Sequence, residues 1–168
     1  EERPAGLKSI GVRTIAVDYG TTNPCVFLDI WDDGDTVWVD REYRWDSRSE
    51  EARKTGNPNK TDSQYADDMV EFMGNKPEDQ CMIIVELRNR GFIVKLADNE
   101  VMDGIRIVSS LLERKKIQIN KACRGLRSEM QSYVWDDKAA EHGEEKPVKQ
   151  LDHGPDALRY YVKTTLPS

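Results

Sequence analysis

Thr14 to Val17 is a short apolar run, partly β-branched, that ends in Asp18 and breaks at once into Tyr-Gly-Thr-Thr-Asn-Pro24. No other feature of the 168-residue chain constrains its fold as strongly. Side chains of this kind favour a pleated, buried strand, and the Gly- and Thr-rich turn stops it abruptly. A carboxylate at the end of such a strand has to be hydrogen-bonded or paired. Open α/β sheets gather their ligands at these ends. Asp18 therefore reads equally well as a turn residue bonding to the next N–H groups and as one member of a site whose partners lie elsewhere.

The spacing predicts strands at 12–18, 25–31 and 36–45, an antiparallel meander turning at Asp32-Asp33-Gly34-Asp35. Regular alternation along the third strand would send Trp38 and Trp45 to opposite faces. Residues 46–60, with Gly56 and Pro58, read as a long surface loop. Thr61 with Gln64 forms a capping box, and Tyr65, Met69, Phe72 and Met73 make one helical stripe ended by Gly74. Further strands are expected at 81–85, 92–96 and around Ile117 and Ile119. Further helices are expected over 101–112 and along Leu126, Met130, Tyr133 and Val134. Residues 136–150 read as a charged excursion. The last helix is expected to begin with Pro155 at its first position and Gly154 as N-cap. Strands alternating with helices in this order imply a mixed sheet with helices on its faces.

Composition limits the chemistry. Twenty-five Lys and Arg against 31 Asp and Glu leave a net charge of −6, which argues against gripping nucleic acid through the overall field. Three cysteines without a CxxC spacing, and two histidines, argue against a disulfide framework or a zinc site. No run approaches a membrane span, and the first residues lack a signal-peptide core. There is no Gly-x-x-x-x-Gly-Lys-Ser/Thr motif, so the chain is not itself a P-loop motor.

The candidates are then few. Asp156 lies in the first turn of the last helix, where the dipole favours a carboxylate and Arg159 stands at i+3. It reads as a helix-terminal charge or a metal ligand. His153 and Asp152 precede it, and His153 reads as a cap-region side chain or a catalytic group. Asp103 reads as a first-turn charge. Arg114, Lys115, Lys116, Lys121, Arg124 and Arg127 form the densest basic patch, a solvated face or a phosphate-facing rim. Only six residues separate Val85 from Phe92, too few for the ten or so that a parallel crossover needs. Either 81–85 and 92–96 form an antiparallel hairpin, or residues are missing at that point.

Ile15-Ala-Val-Asp18-Tyr-Gly, Met82-Ile-Ile-Val85, Leu87-Arg-Asn-Arg-Gly-Phe92, Asp98-Asn-Glu-Val-Met-Asp-Gly-Ile-Arg106, Ser132-Tyr-Val-Trp-Asp136 and Asp152-His-Gly-Pro-Asp-Ala-Leu-Arg-Tyr160 together resemble the C-terminal nuclease domain of tailed-bacteriophage large terminase subunits. The resemblance implies an α/β, ribonuclease H-like mixed β-sheet with helices on both faces. Residues 1–9 would be a linker or N-terminal tail and 10–168 the nuclease domain. It implies a metal-dependent endonuclease that cuts concatemeric viral double-stranded DNA during genome packaging, by two-metal phosphodiester hydrolysis with Mg²⁺ or Mn²⁺. Asp18 and Asp156 would be metal ligands and His153 a catalytic neighbour, with the basic patch facing DNA. Implied partners are an N-terminal ATPase motor domain of the same protein, the portal and the small terminase subunit, with no membrane. The setting would be the cytoplasm of the infected host, at the procapsid. The family also carries an Asp just after its fourth strand. Here Val85 runs directly into Glu86, so that ligand is absent and missing residues are favoured over a hairpin. The alternatives are an actin-like or sugar-kinase-type ATP phosphate site at Asp18-Tyr-Gly-Thr-Thr-Asn23, or a non-catalytic docking domain if the segment after Val85 is truly lacking.

Overall fold

The computed structural model describes residues 3–4, 6, 11–20, 24–74, 80–81, 93, 95–98, 100–133 and 151–166. Three strands open the fold: β1 (Val12–Asp18), β2 (Cys25–Asp32) and β3 (Val37–Trp45). They pair antiparallel in sequence order, with Asp18 opposite Val26 and Cys25 opposite Trp45. β4 (Gln80–Cys81) lies parallel to β1, and β5 (Ile117–Ile119) lies parallel to β3. The five-stranded order is β4-β1-β2-β3-β5, a mixed sheet whose meander and parallel neighbour match the expected ribonuclease H-like plan.

Helices cover both faces. On one face α2 (Asp62–Met73) sets Tyr65, Ala66, Met69 and Met73 against Ile15, Val17, Cys25 and Phe27. On the other lie α3 (Val101–Glu113), α4 (Arg124–Ser132) and α5 (His153–Thr165), over Ala16, Val26, Leu28 and Ile30. Side chains such as Ile15, Phe27 and Leu158 are fully buried. Each contributes about 1.5–3 kcal/mol relative to exposure. The Thr61–Gln64 capping box is formed, and Gly74 ends α2 at φ 74°, a left-handed position that suits glycine.

Several expectations change. Residues 46–60 are not all loop: α1 (Glu50–Lys54) forms there because the Ser49 side chain accepts the Ala52 N–H at 3.1 Å. Described residues in the expected 92–96 strand are not in a strand. Ile93 is exposed and Leu96 is 83% exposed, so that stretch gains none of the burial a paired apolar strand would have. Residues 82–92, the basis of the short-crossover reading, lie outside the described residues, as does the 136–150 excursion. The last helix begins at His153 with Asp152 as N-cap, not at Pro155. The Gly154 N–H is taken by the Glu129 carboxylate, and a proline two residues into a helix costs no ladder bond because first-turn N–H groups are unpaired there anyway.

Trp38 and Trp45 do not point to opposite faces. The β2–β3 register pairs Asp29 with Arg41 but Ile30 with Val39, so Asp40 is an inserted bulge residue. Before it Val37 and Val39 face the α5 side, and after it Tyr43 and Trp45 face α2. The extra residue reverses the parity of the second half of the strand.

Candidate active site

β1 delivers Asp18 to the α5 face, in the parity of Ala16 and opposite Val26. The first turn of α5 lies against the same end of the sheet. His153 Nδ1 sits 2.7 Å from Asp18 Oδ2, although 135 residues separate them in sequence. Both side chains are mostly covered, at 17% and 18% exposure. That hydrogen bond, opposed by burial, raises the His153 imidazole above its ordinary value. The helix is held in line at its other end by Tyr161, whose hydroxyl donates to Asp32 Oδ2 at 2.9 Å.

Asp156 follows one turn after Asp152, its N–H donating to the Asp152 carbonyl at 2.7 Å. Arg159 donates to Asp156 Oδ1 from Nε at 3.2 Å and from Nη2 at 3.1 Å, and reaches the Glu100 carbonyl at 3.2 Å. The i+3 pairing expected from the sequence is present. The helix-dipole argument for a comfortable carboxylate does not prevail, however. Burial raises the Asp156 pKa, Arg159 lowers it, and the charges of Asp152 and Asp18 raise it again. The folded protein holds this carboxylate against its preference. Such a group at a strand-end cleft is a candidate site residue.

Asp18, His153 and Asp156 border one open cleft of about 870 Å³. The structure adds neighbours that sequence reasoning did not single out for the site: Tyr19, Arg44, Asp46 and Arg48, with Asp152. Asp46 and Arg48 follow β3, and Arg48 Nε donates to Asp46 Oδ1 at 3.1 Å. Leu151, at the edge of the cleft, is exposed and has φ 52°, an unfavourable backbone for a leucine. No sequence motif marks Arg44, Asp46 or Arg48; only the sheet register brings them to Asp18.

The cleft's carboxylates are hard oxygen donors of the kind Mg²⁺ and Mn²⁺ prefer. Among the described residues no group of three or more His, Cys, Asp or Glu is placed to hold a metal ion. Asp18 and Asp156 thus fit in donor type as two members of a set. The position where a further Asp was expected, after residue 85, is outside the described residues. Thr21 to Asn23 of the ATP phosphate-loop alternative are outside them too. Cys25 and Cys123 are buried free thiols, and burial pushes both up to about 12, which argues against them as nucleophiles.

The basic patch is not gathered at the cleft. β5 begins opposite Val37, so Arg114, Lys115 and Lys116 sit at the far end of β3 from Asp18, and Lys116 pairs with Asp35 in the β2–β3 turn. Arg124 opens α4, and Arg127 donates to the Lys121 carbonyl at 3.5 Å. Asp103 is a first-turn charge, as expected, paired with Arg106 and Lys163.

No family model matches the chain, and no curated protein matches it by sequence. Solved structures do. The large terminase of a thermophilic bacteriophage, in complex with ATP-γ-S, superposes with a TM-score of 0.86 at 36% identity over 100% of this chain. The match covers 42% of that protein, so the chain spans less than half of its length. The nuclease domain of the P22 large terminase matches at a TM-score of 0.64 and 18% identity, over 97% of this chain and 84% of that one. The large terminase nuclease from a second thermophilic phage, G20c, with bound cobalt, matches at 0.67 and 12%, over 95% and 82%. At those identities the last two speak to the fold. Taken with the strand order and the opening and closing motifs, they show that this chain resembles the nuclease domain of tailed-phage large terminase subunits.

Proposed function

We propose that this domain is a divalent-metal-dependent endonuclease that cuts concatemeric viral double-stranded DNA during genome packaging. One observation carries the reading: the two ends of the chain bring Asp18, His153 and Asp156 to a single open cleft, in a protein similar to a phage large terminase. Mg²⁺ or Mn²⁺ held by Asp18 and Asp156, in a two-metal arrangement, would supply Lewis-acid activation of water and neutralise charge developing on the phosphodiester.

The chain's own groups have separable tasks. Asp18, hydrogen-bonded to Nδ1, orients the His153 ring and fixes which nitrogen faces away from it. His153 Nε2 is then left to take a proton from water or to contact the scissile phosphate. Arg159, itself 4% exposed, holds Asp156 in place and tempers the repulsion between Asp156, Asp152 and Asp18. Arg48, more than half exposed at the cleft, supplies positive charge for the DNA backbone. The patch from Arg114 to Arg127 would touch duplex away from the cut. A motor domain preceding residue 1 would present the DNA, with the portal and small terminase subunit as further partners at the procapsid in the host cytoplasm. No helix among the described residues is long and apolar enough to cross a membrane.

Plasmid nicking and linearisation in Mn²⁺ or Mg²⁺ tests the assignment. Asp18→Ala and Asp156→Ala should each abolish cleavage; unchanged cleavage in both would sink it. The intact mass of the polypeptide decides separately whether Val85 is bonded to Glu86. A continuous bond there, with no cleavage by the unaltered chain, would favour the docking-domain alternative.

A further inference from the structure

Beside the cleft, bordering it at Arg44 alone, lies an ion network of Glu42, Arg44 and Glu129. Glu42 and Arg44 project from β3 toward α4 and α5, opposite Leu28 and Val26. Arg44 donates to Glu129 from Nη1 and Nη2, both at 2.8 Å, and to Glu42 from Nε at 3.1 Å and Nη2 at 3.0 Å. Each carboxylate also accepts a backbone N–H from the first turn of a helix. Glu42 takes Leu126 N of α4 at 3.1 Å, and Glu129 takes Gly154 N of α5 at 2.7 Å. Glu42 and Glu129 side chains are 6% exposed and Arg44 is 25% exposed. A Cβ on Gly154 would stand 2.9 Å from Glu129 Oε2 and 3.1 Å from the Leu126 backbone, so the helix can approach this closely only with glycine there.

We infer that Arg44 and Glu129 are positioning residues for the cleft, fixing the first turn of α5 and with it His153 and Asp156 relative to Asp18. The geometry leaves few other roles. Glu129 is not among the residues bordering the cleft, yet its carboxylate is bonded to the residue between His153 and Pro155. Arg44 lies in the same cross-strand row as Asp18 and Val26, so one guanidinium references α5 to the strand that carries Asp18. The charge is needed as well as the shape. Two nearly buried carboxylates face one guanidinium that donates to both.

The inference rests on the nuclease reading for its kinetic part only. Arg44→Ala would strand both carboxylates and threatens folding, so the informative variants are Glu129→Gln and Arg44→Lys. In Glu129→Gln one of the two accepting oxygens becomes an NH₂ donor, so the amide cannot serve both guanidinium nitrogens and the Gly154 N–H as the carboxylate does, and the turn is held less firmly. Gly154 amide exchange, read by NMR on the metal-free protein, should quicken by about tenfold or more in Glu129→Gln. Plasmid cleavage in Mn²⁺ should lose roughly tenfold to a hundredfold in kcat with KM for DNA unchanged. Arg44→Lys, which keeps the charge without the fork, should fall between wild type and Glu129→Gln on both measures. Unchanged Gly154 exchange overturns the inference. So does a freed amide with full kcat, or a loss confined to KM. If the unaltered protein cuts no DNA, the nuclease reading fails on its own; Gly154 exchange then still decides whether Glu129 holds the turn.

Discussion

Asp29 is the place where one atom change should cost the fold most. It lies in the middle of β2, 1% exposed, and its carboxylate receives Arg13 Nε at 2.8 Å and Nη2 at 3.0 Å. It also receives Arg41 Nε at 2.9 Å and Nη2 at 2.6 Å. Both arginines reach on to the last turn of α2, Arg13 to the Met73 carbonyl at 2.9 Å and Arg41 to that of Phe72 at 2.7 Å. Asp29 thus ties α2 to the strands that carry the cleft. The two arginines differ in exposure: the Arg13 side chain is 7% exposed and that of Arg41 is 47%. In Asp29→Asn the amide keeps one acceptor and turns a donor toward a guanidinium. Arg41 can swing into water, but Arg13 is left as a buried charge. Removing one partner of a buried pair costs about 3–5 kcal/mol, whereas an exposed pair is worth about 0–1 kcal/mol. In a chain of this size 1 kcal/mol moves Tm by about 2–4 °C, so Asp29→Asn should lower it by roughly 10 °C. Arg41→Ala should cost only about 1 kcal/mol, including its contact with the Phe72 ring. The pair Asp29→Leu with Arg13→Met should recover much of the loss, because apolar side chains of similar volume can replace a buried pair at little cost. Thermal and urea unfolding followed by circular dichroism measure all three. Equal, mild losses in Asp29→Asn and Arg41→Ala would refute the burial argument.

Three further outcomes follow from the cleft. The Asp18 bond raises the His153 pKa, so it contributes stability that is fully present below the unfolded value near 6.5 and lost as pH rises through the folded one. Asp18→Asn should bring the His153 NMR titration back toward that value and remove the extra stability seen by urea melts between about pH 4 and 6.5; an unmoved titration would contradict the pairing. Asp156 is also raised, chiefly by burial, so its ionised form costs stability at neutral pH. Asp156→Asn should therefore unfold at a higher temperature than wild type at pH 7 while losing cleavage, and a lower Tm would show that Arg159 depends on the charge. Gly104→Ala would set a Cβ 2.5 Å from Arg159 Cγ, displacing the arginine that holds Asp156. Overpacking of about 1–3 kcal/mol should outweigh the gain in helix propensity of about 1 kcal/mol, giving a lower Tm and slower plasmid cleavage.

Much of this was legible in the residues because local rules and tertiary context agree. The run ending at Asp18 is a strand of the expected bounds, since its apolar residues are buried on both faces. Thr61, Gln64 and Gly74 delimit α2 because capping chemistry is local. The expectation that the distant Asp18 and His153 share a site came from motif resemblance, not from periodicity; the fold brings the two side chains to 2.7 Å. Burial at Asp156 was not legible. A first-turn carboxylate reads as comfortable until the packing of Arg159, Asp152 and the sheet end is known.

The bulge at Asp40 explains why the positioning network was hidden. Counted in strict alternation from Val37 and Val39, Glu42 and Arg44 belong on the α2 face, with Trp38, away from Asp18. One inserted residue moves both to the α5 face and sends Tyr43 and Trp45 to α2, where Tyr43 stacks on Phe27 at 4.4 Å. A bulge has no sequence mark here, because Asp40 and Arg41 are ordinary strand-surface residues. Its effect is nevertheless the arrangement of the cleft. It puts a guanidinium in the row of Asp18, within reach of the two acids that cap α4 and α5. Deletion of Asp40 tests this directly: with the extra residue gone Val39 and Arg41 become neighbours still opposite Ile30 and Asp29, so Arg44 stays opposite Val26 and in reach of Glu129, and Gly154 protection and cleavage should persist. If the deletion variant folds yet Gly154 exchanges freely and cleavage is lost, Arg44 depends on the bulge itself and not on its pairing opposite Val26.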